Sequence, residues 1–292
     1  MDRKDFLKKG LLGTGMFVAP ASSENTMKND IDEIEPLEPI GYNHLPDPES
    51  RIKDNFVIHR ADSRGKADHG WLVSSQTFSF ANYHNPERMH FGVLRVLNDD
   101  TVEAGKGFGT HPHDNMEIIS IPLEGDLEHK DSMGNSAVIR SGDIQVMSAG
   151  TGIMHSEFNK NRDCPAKFLQ IWVYPNKRNV VPRYDQITLD KTQSKNRFQQ
   201  ILSPDADDEG VWIHQDAWFH LGNFDNQTEI QYPIRKKGNG VYIFILQGSA
   251  QIGGQALGAR DGFGVWDIAD LEIRTTADHT EILLMEVPMT LS

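Results

Sequence analysis

GKGFGTHPHDNMEIISIPLEG, residues 105–125, sets His111 and His113 two apart, between a glycine-rich run and an apolar segment. A second stretch, SAGTGIMHSEFN at 148–159, repeats the design with His155 and Glu157. In an extended strand successive side chains point to opposite faces, so residues i and i+2 share one. Each pair therefore aims one way. Two neighbouring strands inside a barrel would bring three imidazoles and one carboxylate around a single point. Such a donor set suits Fe(II), Mn, Co, Ni or Zn rather than Ca or Mg. The glycines at 105, 107, 109, 150 and 152 let the backbone turn sharply into each strand.

The rest of the chain supports the β reading. FGVLRVLND (91–99), MEIISIPLEG (116–125), KFLQIWVYP (167–175), GVYIFILQG (240–248) and TEILLMEVP (280–288) are short, β-branched and aromatic. DSMGNS at 131–136 reads as a hairpin turn. Glycine (25) and proline (14) are scattered between these runs, which favours a sandwich or barrel over long helices. A weak internal repeat adds detail. Leu123-x-Gly125 matches Leu246-x-Gly248, and Arg140-Ser-Gly142 matches Arg260-Asp-Gly262, at offsets of 123 and 120 residues. The chain therefore reads as two β-barrels in tandem, with a boundary near 175–190.

Composition narrows the function. Among 292 residues, 29 are Lys or Arg against 42 Asp or Glu, a net charge of −13. Such a balance gives no electrostatic footprint for direct nucleic-acid binding. Cys164 is the only cysteine, so neither an intrachain disulfide nor a thiolate zinc cluster can form. A metal must be held by His, Asp or Glu.

The stretch 105–125 resembles the first cupin motif through Gly105, His111, His113 and Glu117, with Gly125 one residue beyond the usual spacing. Residues 142–159 resemble the second through Gly142, Gly150, His155 and Asn159, with Ser148 in place of proline and two extra residues before His155. More narrowly, HGWLVSSQTFSFANYHNP, GFGTHPHDNMEI, EHKDSMGN and MSAGTGIMHSEFN are similar to the pirin family, in particular its bacterial members with quercetinase activity. The likeness runs from about 55 to 290.

The resemblance implies an all-β bicupin of two antiparallel, jelly-roll-type barrels: 51–180 with the metal and 181–292 without it. The implied ligands are His111, His113, His155 and Glu157. Glu117 is the runner-up ligand, or a group that orients an imidazole. The implied activity is Fe(II)-dependent dioxygenation of the quercetin 2,4-dioxygenase type, with Mn, Co, Ni, Cu or Zn as alternative metals. A small aromatic substrate and dioxygen are the expected partners, and Glu157 is the expected general base. The competing function is an iron-binding, redox-sensing or regulatory protein that works through a protein partner without turnover.

Other residues carry weaker signals. His129 in LEHKDS reads as a polar residue flanking a turn, with a pocket-facing role as the alternative. Trp71, Phe78, Phe80 and Phe91 read either as a wall for an aromatic substrate or as core. His214, His220 and His279 stand isolated, and RKK at 235–237 reads as a solvated turn. At the amino terminus, residues 1–21 have the charged start, apolar stretch and Ala19-Pro20-Ala21 of an export signal, with RKDFLKK similar to a twin-arginine motif. Periplasmic or exported location is the expectation, and cytoplasmic otherwise. The apolar stretch is too short for a membrane span. Residues 22–50 are acidic and proline-punctuated and read as a linker.

Overall fold

A computed structural model describes residues 55–291. The expected export signal (1–21) and linker (22–50) lie outside the described residues. No helix among the described residues is long and apolar enough to cross a membrane.

The chain is built from strands. β1 (Phe56–His59) leads in. The first half follows with β2 (Gly65–Asp68), β3 (Leu72–Gln76), β4 (Leu94–Val102), β5 (Gly107–His113) and β6 (Glu117–Glu124). It continues with β7 (Leu127–Asp131), β8 (Ser136–Ile139), β9 (Asp143–Ser148), β10 (Ile153–Asn159) and β11 (Ala166–Val173). β12 (Arg183–Thr188) bridges the halves. The second half comprises β13 (Gln199–Ser203), β14 (Val211–Trp212), β15 (Trp218–Phe224), β16 (Glu229–Pro233) and β17 (Asn239–Gln247). It ends with β18 (Ser249–Ile252), β19 (Gln255–Gly258), β20 (Gly262–Val265), β21 (Asp270–Thr275) and β22 (Thr280–Pro288).

Each half makes one seven-stranded and one four-stranded sheet, and the orders match. The large sheets run β12-β9-β6-β11-β4-β3-β2 and β1-β20-β17-β22-β15-β13-β14; the small ones run β5-β10-β7-β8 and β16-β21-β18-β19. This is the tandem pair of barrels that the repeat implies. The apolar runs quoted above became β4, β6, β11, β17 and β22, the strands at the centre of the large sheets. Both faces are covered there; β17 and β22 are apolar almost throughout, whereas β4 and β11 carry Asn98, Asp100 and Gln170 on one face.

The edges follow a different rule. β12 lies beyond residue 180, where the second barrel is expected to begin, yet it pairs with β9 of the first large sheet. β1 lies within 51–180, the run expected to form the first barrel, yet pairs with β20 of the second. Phe56 stacks on Phe263 with centroids 5.6 Å apart, and the His59 ring nitrogen Nδ1 lies 2.8 Å from the Tyr242 hydroxyl. Unpaired sheet edges are a liability, and here each barrel's outer edge is covered by a segment from outside its own run of sequence.

The two large sheets pack face to face. Ile119, Ile121, Val146, Leu169 and Ile171 meet Phe219, Tyr242, Phe244, Leu283 and Met285 in one core. The opposite face of the first large sheet points into its own barrel, and it carries a polar row between apolar neighbours such as Leu72, Ile118, Met147 and Phe168. Across successive strands Gln76, Asn98, Gln170, Ser120, Gln145 and Gln186 stand opposite one another as a single row. The matching interior row of the second barrel reads His220, Leu284, Ile243 and Phe263. The two barrels share a fold but not an interior.

Candidate metal centre

β5 and β10 pair antiparallel, with His155 opposite His111 and Ile153 opposite His113. The register shifts between His155 and Glu157, where Glu157 comes opposite Phe108. Glycine makes this pairing sterically feasible. A Cβ on Gly107 would sit 2.2 Å from the Glu157 carbonyl oxygen and 2.4 Å from the Phe158 Cα. Gly150, at the turn into β10, has φ +49°, and a Cβ there would lie 2.1 Å from the Val180 carbonyl oxygen. The glycine runs thus serve close backbone approach as well as turning.

The i, i+2 logic holds in three dimensions for the histidines. Ring centroids lie 4.8 Å apart for His111–His113, 4.5 Å for His111–His155 and 4.9 Å for His113–His155. One ligand-type nitrogen from each falls within 4.8 Å of the others. His111 Nδ1 donates to the Gly109 carbonyl at 2.7 Å, which leaves the Nε2 lone pair free. Burial pushes all three imidazoles below their ordinary range, His113 to about 3, with the neighbouring rings adding to the effect at His113 and His155. They are neutral at pH 7, the form that ligates. His155 is buried with both ring nitrogens unpartnered. Burying a polar group without a partner is costly, and a divalent cation between the rings would supply one. The donor set fits such an ion.

Glu157 lies buried beside the cluster, opposite His129 of β7. Its Oε1 accepts from the Ser120 hydroxyl at 3.1 Å, and burial raises the carboxyl to about 7 against that hydrogen bond. Its carboxylate is outside the 4.8 Å grouping that unites the three histidines. Glu117 is elsewhere. It faces the other barrel, where its Oε2 accepts from the Ser148 hydroxyl at 2.6 Å and it feels the Arg183 charge. One residue of parity separates Glu117 from the interior-facing Ile118 and Ser120, and that puts it out of reach of the histidines.

Sequence reasoning undervalued some neighbours. His129 is fully buried, its ring 5.3 Å from His155 and 4.8 Å from Tyr184, with neither nitrogen partnered. The alternation in LEHKD, with Leu127 and His129 both buried, was the available signal. Trp172 went unnoticed. It lies edge-on to His113 at 4.9 Å and to Phe80 at 5.3 Å. Phe80 is thus the one aromatic of the four candidates set beside the cluster. Trp71 packs on Phe108, while Phe78 and Phe91 join the core between the barrels. Behind Glu157, Gln76 Oε1, Asn98 Oδ1, Asp100 Oδ1 and both polar atoms of the Gln145 amide are buried without partners. That interior is equipped to hold water or hydroxyl groups.

Two cupin barrels in tandem define a bicupin, with the clustered neutral imidazoles of the first as its candidate metal centre. The chain belongs to the pirin family. Residues 57–173 match the family model described as Pirin, and residues 200–287 match the one described as Quercetinase C-terminal cupin domain. The chain is 43% identical over 237 residues to the quercetin 2,3-dioxygenase of Escherichia coli K12, covering 80% of this chain and 99% of that protein. It is 40% identical over 227 residues to a putative quercetin 2,3-dioxygenase of Pseudomonas aeruginosa, covering 77% and 97%. Among solved structures, the Escherichia coli bacterial pirin YhhW in complex with nickel(II) superposes with a TM-score of 0.75 at 40% identity, covering 80% of this chain and 99% of that one.

Proposed function

We propose that this protein is a metal-dependent dioxygenase of the quercetin 2,4-dioxygenase type, acting on flavonol-like aromatic substrates. The observation that carries the reading is the convergence of three neutral imidazoles, His155 buried and His111 and His113 half-buried, beside a buried carboxylate. Relatives covering nearly their full length and named as quercetin dioxygenases support it.

His111, His113 and His155 would hold the ion through nitrogens that lack other partners, and Glu157 would complete the set. Fe(II) is the proposed native metal. A bound metal of this class supplies Lewis acidity and a meeting point for substrate oxygen and dioxygen. Glu157 takes the proton from the substrate hydroxyl at Oε2, because Oε1 is already engaged by Ser120. Trp172 and Phe80 provide an aromatic flank beside His113. The partnerless amides of the interior row offer acceptors to substrate hydroxyls or to ordered water.

The test is oxygen uptake by anaerobically Fe(II)-loaded protein on adding quercetin, followed together with loss of the flavonol absorbance. Glu157→Gln is expected to keep part of the metal and lose most turnover. Tight metal binding with no oxygen uptake in the wild type would overturn the dioxygenase reading. Full turnover in the variant would remove the base role from Glu157.

A further inference from the structure

The second barrel carries an open cleft of about 540 Å³ along β16, its walls including Arg197, Phe198, His220, Ile230, Tyr232 and Arg235. β16 holds in the second small sheet the edge place that β5, with His111 and His113, holds in the first. The cleft is therefore the duplicated counterpart of the candidate metal centre, with different chemistry installed.

The position of Arg235 is fixed from behind. Glu286 is fully buried and accepts from the Tyr232 hydroxyl at 2.8 Å, the backbone N–H groups of Arg235 and Lys236, and Asn239 Nδ2 at 2.9 Å. Its charge is met without drawing on the Arg235 guanidinium. That group instead donates from Nη2 to His220 Nε2 at 3.1 Å. Arginine has donors only, so the His220 proton is on Nδ1, a buried atom with no partner. Burial and Arg235 push this imidazole down to about 3, which keeps it neutral. Arg235 forms no ion pair among the described residues. The acid that it senses, Asp208, bonds Gln200 and Ser203, and Glu229 stands exposed at the rim.

Beneath the cations the walls are aromatic. His220 stands edge-on to Phe198 at 6.2 Å and to Tyr232 at 5.3 Å, and the interior behind them is apolar, with Phe224, Ile243 and Leu284. A cationic rim over an aromatic floor selects an anion joined to a flat ring. Arginine matches a carboxylate in two parallel hydrogen bonds, aromatic edges match a ring, and the volume suits a small molecule. We propose that this cleft binds a small aromatic carboxylate, with the carboxylate on Arg235 and the ring against Phe198 and Tyr232. The inference stands apart from the metal-centre reading.

The test is calorimetric titration of the full-length protein with benzoate, beside benzamide (ring without charge) and acetate (charge without ring). Benzoate is expected to saturate and to bind about tenfold or more tightly than either control. Arg235→Gln is expected to weaken benzoate about tenfold or more. The side chain is exposed, and its backbone bond to Glu286 survives the change, so folding is preserved. His113→Ala, in the other barrel, is expected to leave benzoate affinity unchanged. Absence of saturable benzoate binding, equal affinity for acetate, unaltered affinity in Arg235→Gln, or loss in His113→Ala would each overturn the proposal.

Discussion

Ser120 tests whether the metal centre extends beyond its ligands. Its hydroxyl lies 3.1 Å from Glu157 Oε1 and 3.3 Å from Gln170 Oε1, and it has one proton to give. Ser120→Ala leaves Oε1 in a buried setting without that donor. Stranding a buried acceptor costs about 1–3 kcal/mol, and groups that orient a ligand typically change metal affinity by about 10–100-fold. The expected result is Co(II) affinity weaker by about tenfold or more, measured by competition with a chromophoric chelator. Ser120→Thr keeps a hydroxyl on a β-branched side chain suited to a strand and is expected to recover most of the loss. The melting temperature of the metal-free protein is measured in parallel, so that a general loss of structure is not mistaken for a local one. If Ser120→Ala binds Co(II) within threefold of wild type, or if the threonine variant is as weak as the alanine, Ser120 does not orient Glu157.

Further outcomes follow from neighbouring groups. Glu117→Ala is expected to leave metal stoichiometry intact, whereas Glu157→Ala lowers it; elemental analysis after dialysis separates the two, and metal loss in the Glu117 variant would restore that residue as a ligand. His59 is buried and its imidazole is held down to about 3 by desolvation and the Arg88 charge. The unfolded chain takes up a proton as pH falls through the ordinary imidazole range while the folded chain refuses it, so stability declines from about pH 6.5 towards 3. Between pH 7 and pH 5 this amounts to about 2 kcal/mol, visible in urea melts and absent from a His59→Leu variant; parallel pH profiles in the two proteins would refute it. His129→Leu removes two partnerless nitrogens, so the metal-free fold is expected to be no less stable. A loss above about 2 kcal/mol in chemical denaturation would reveal an ordered hydrogen-bond partner at that ring.

The central strands were legible because a strand covered on both faces must be apolar almost throughout, as in GVYIFILQG and TEILLMEVP. The histidine cluster was legible because i, i+2 spacing has one geometric meaning in a strand. Other features were not. In LQI and DIQV, apolar and polar residues alternate as they would in a strand with one wet face. Periodicity cannot distinguish a polar side that meets solvent from one that meets a barrel interior, so the row from Gln76 to Gln186 stayed hidden. RYDQIT and FVIH carry too little pattern to say which sheet they join, since an edge strand is chosen by the edge that needs it. The RKK turn gave no hint that Arg235 would lean over a cleft, because Glu286, which fixes it, is some fifty residues away.

Strand exchange at the sheet edges sets a timetable for biosynthesis. Among the described strands Phe56–His59 is the first to be synthesised, yet its hydrogen-bonding partner, Gly262–Val265, follows nearly all the others. Until then this segment waits with its backbone unmatched, while the first barrel can close as soon as Arg183–Thr188 emerges. Because β1 and β20 lie about two hundred residues apart, their pairing closes a loop around the whole first barrel, and Phe56–His59 acts as a clasp between the two lobes.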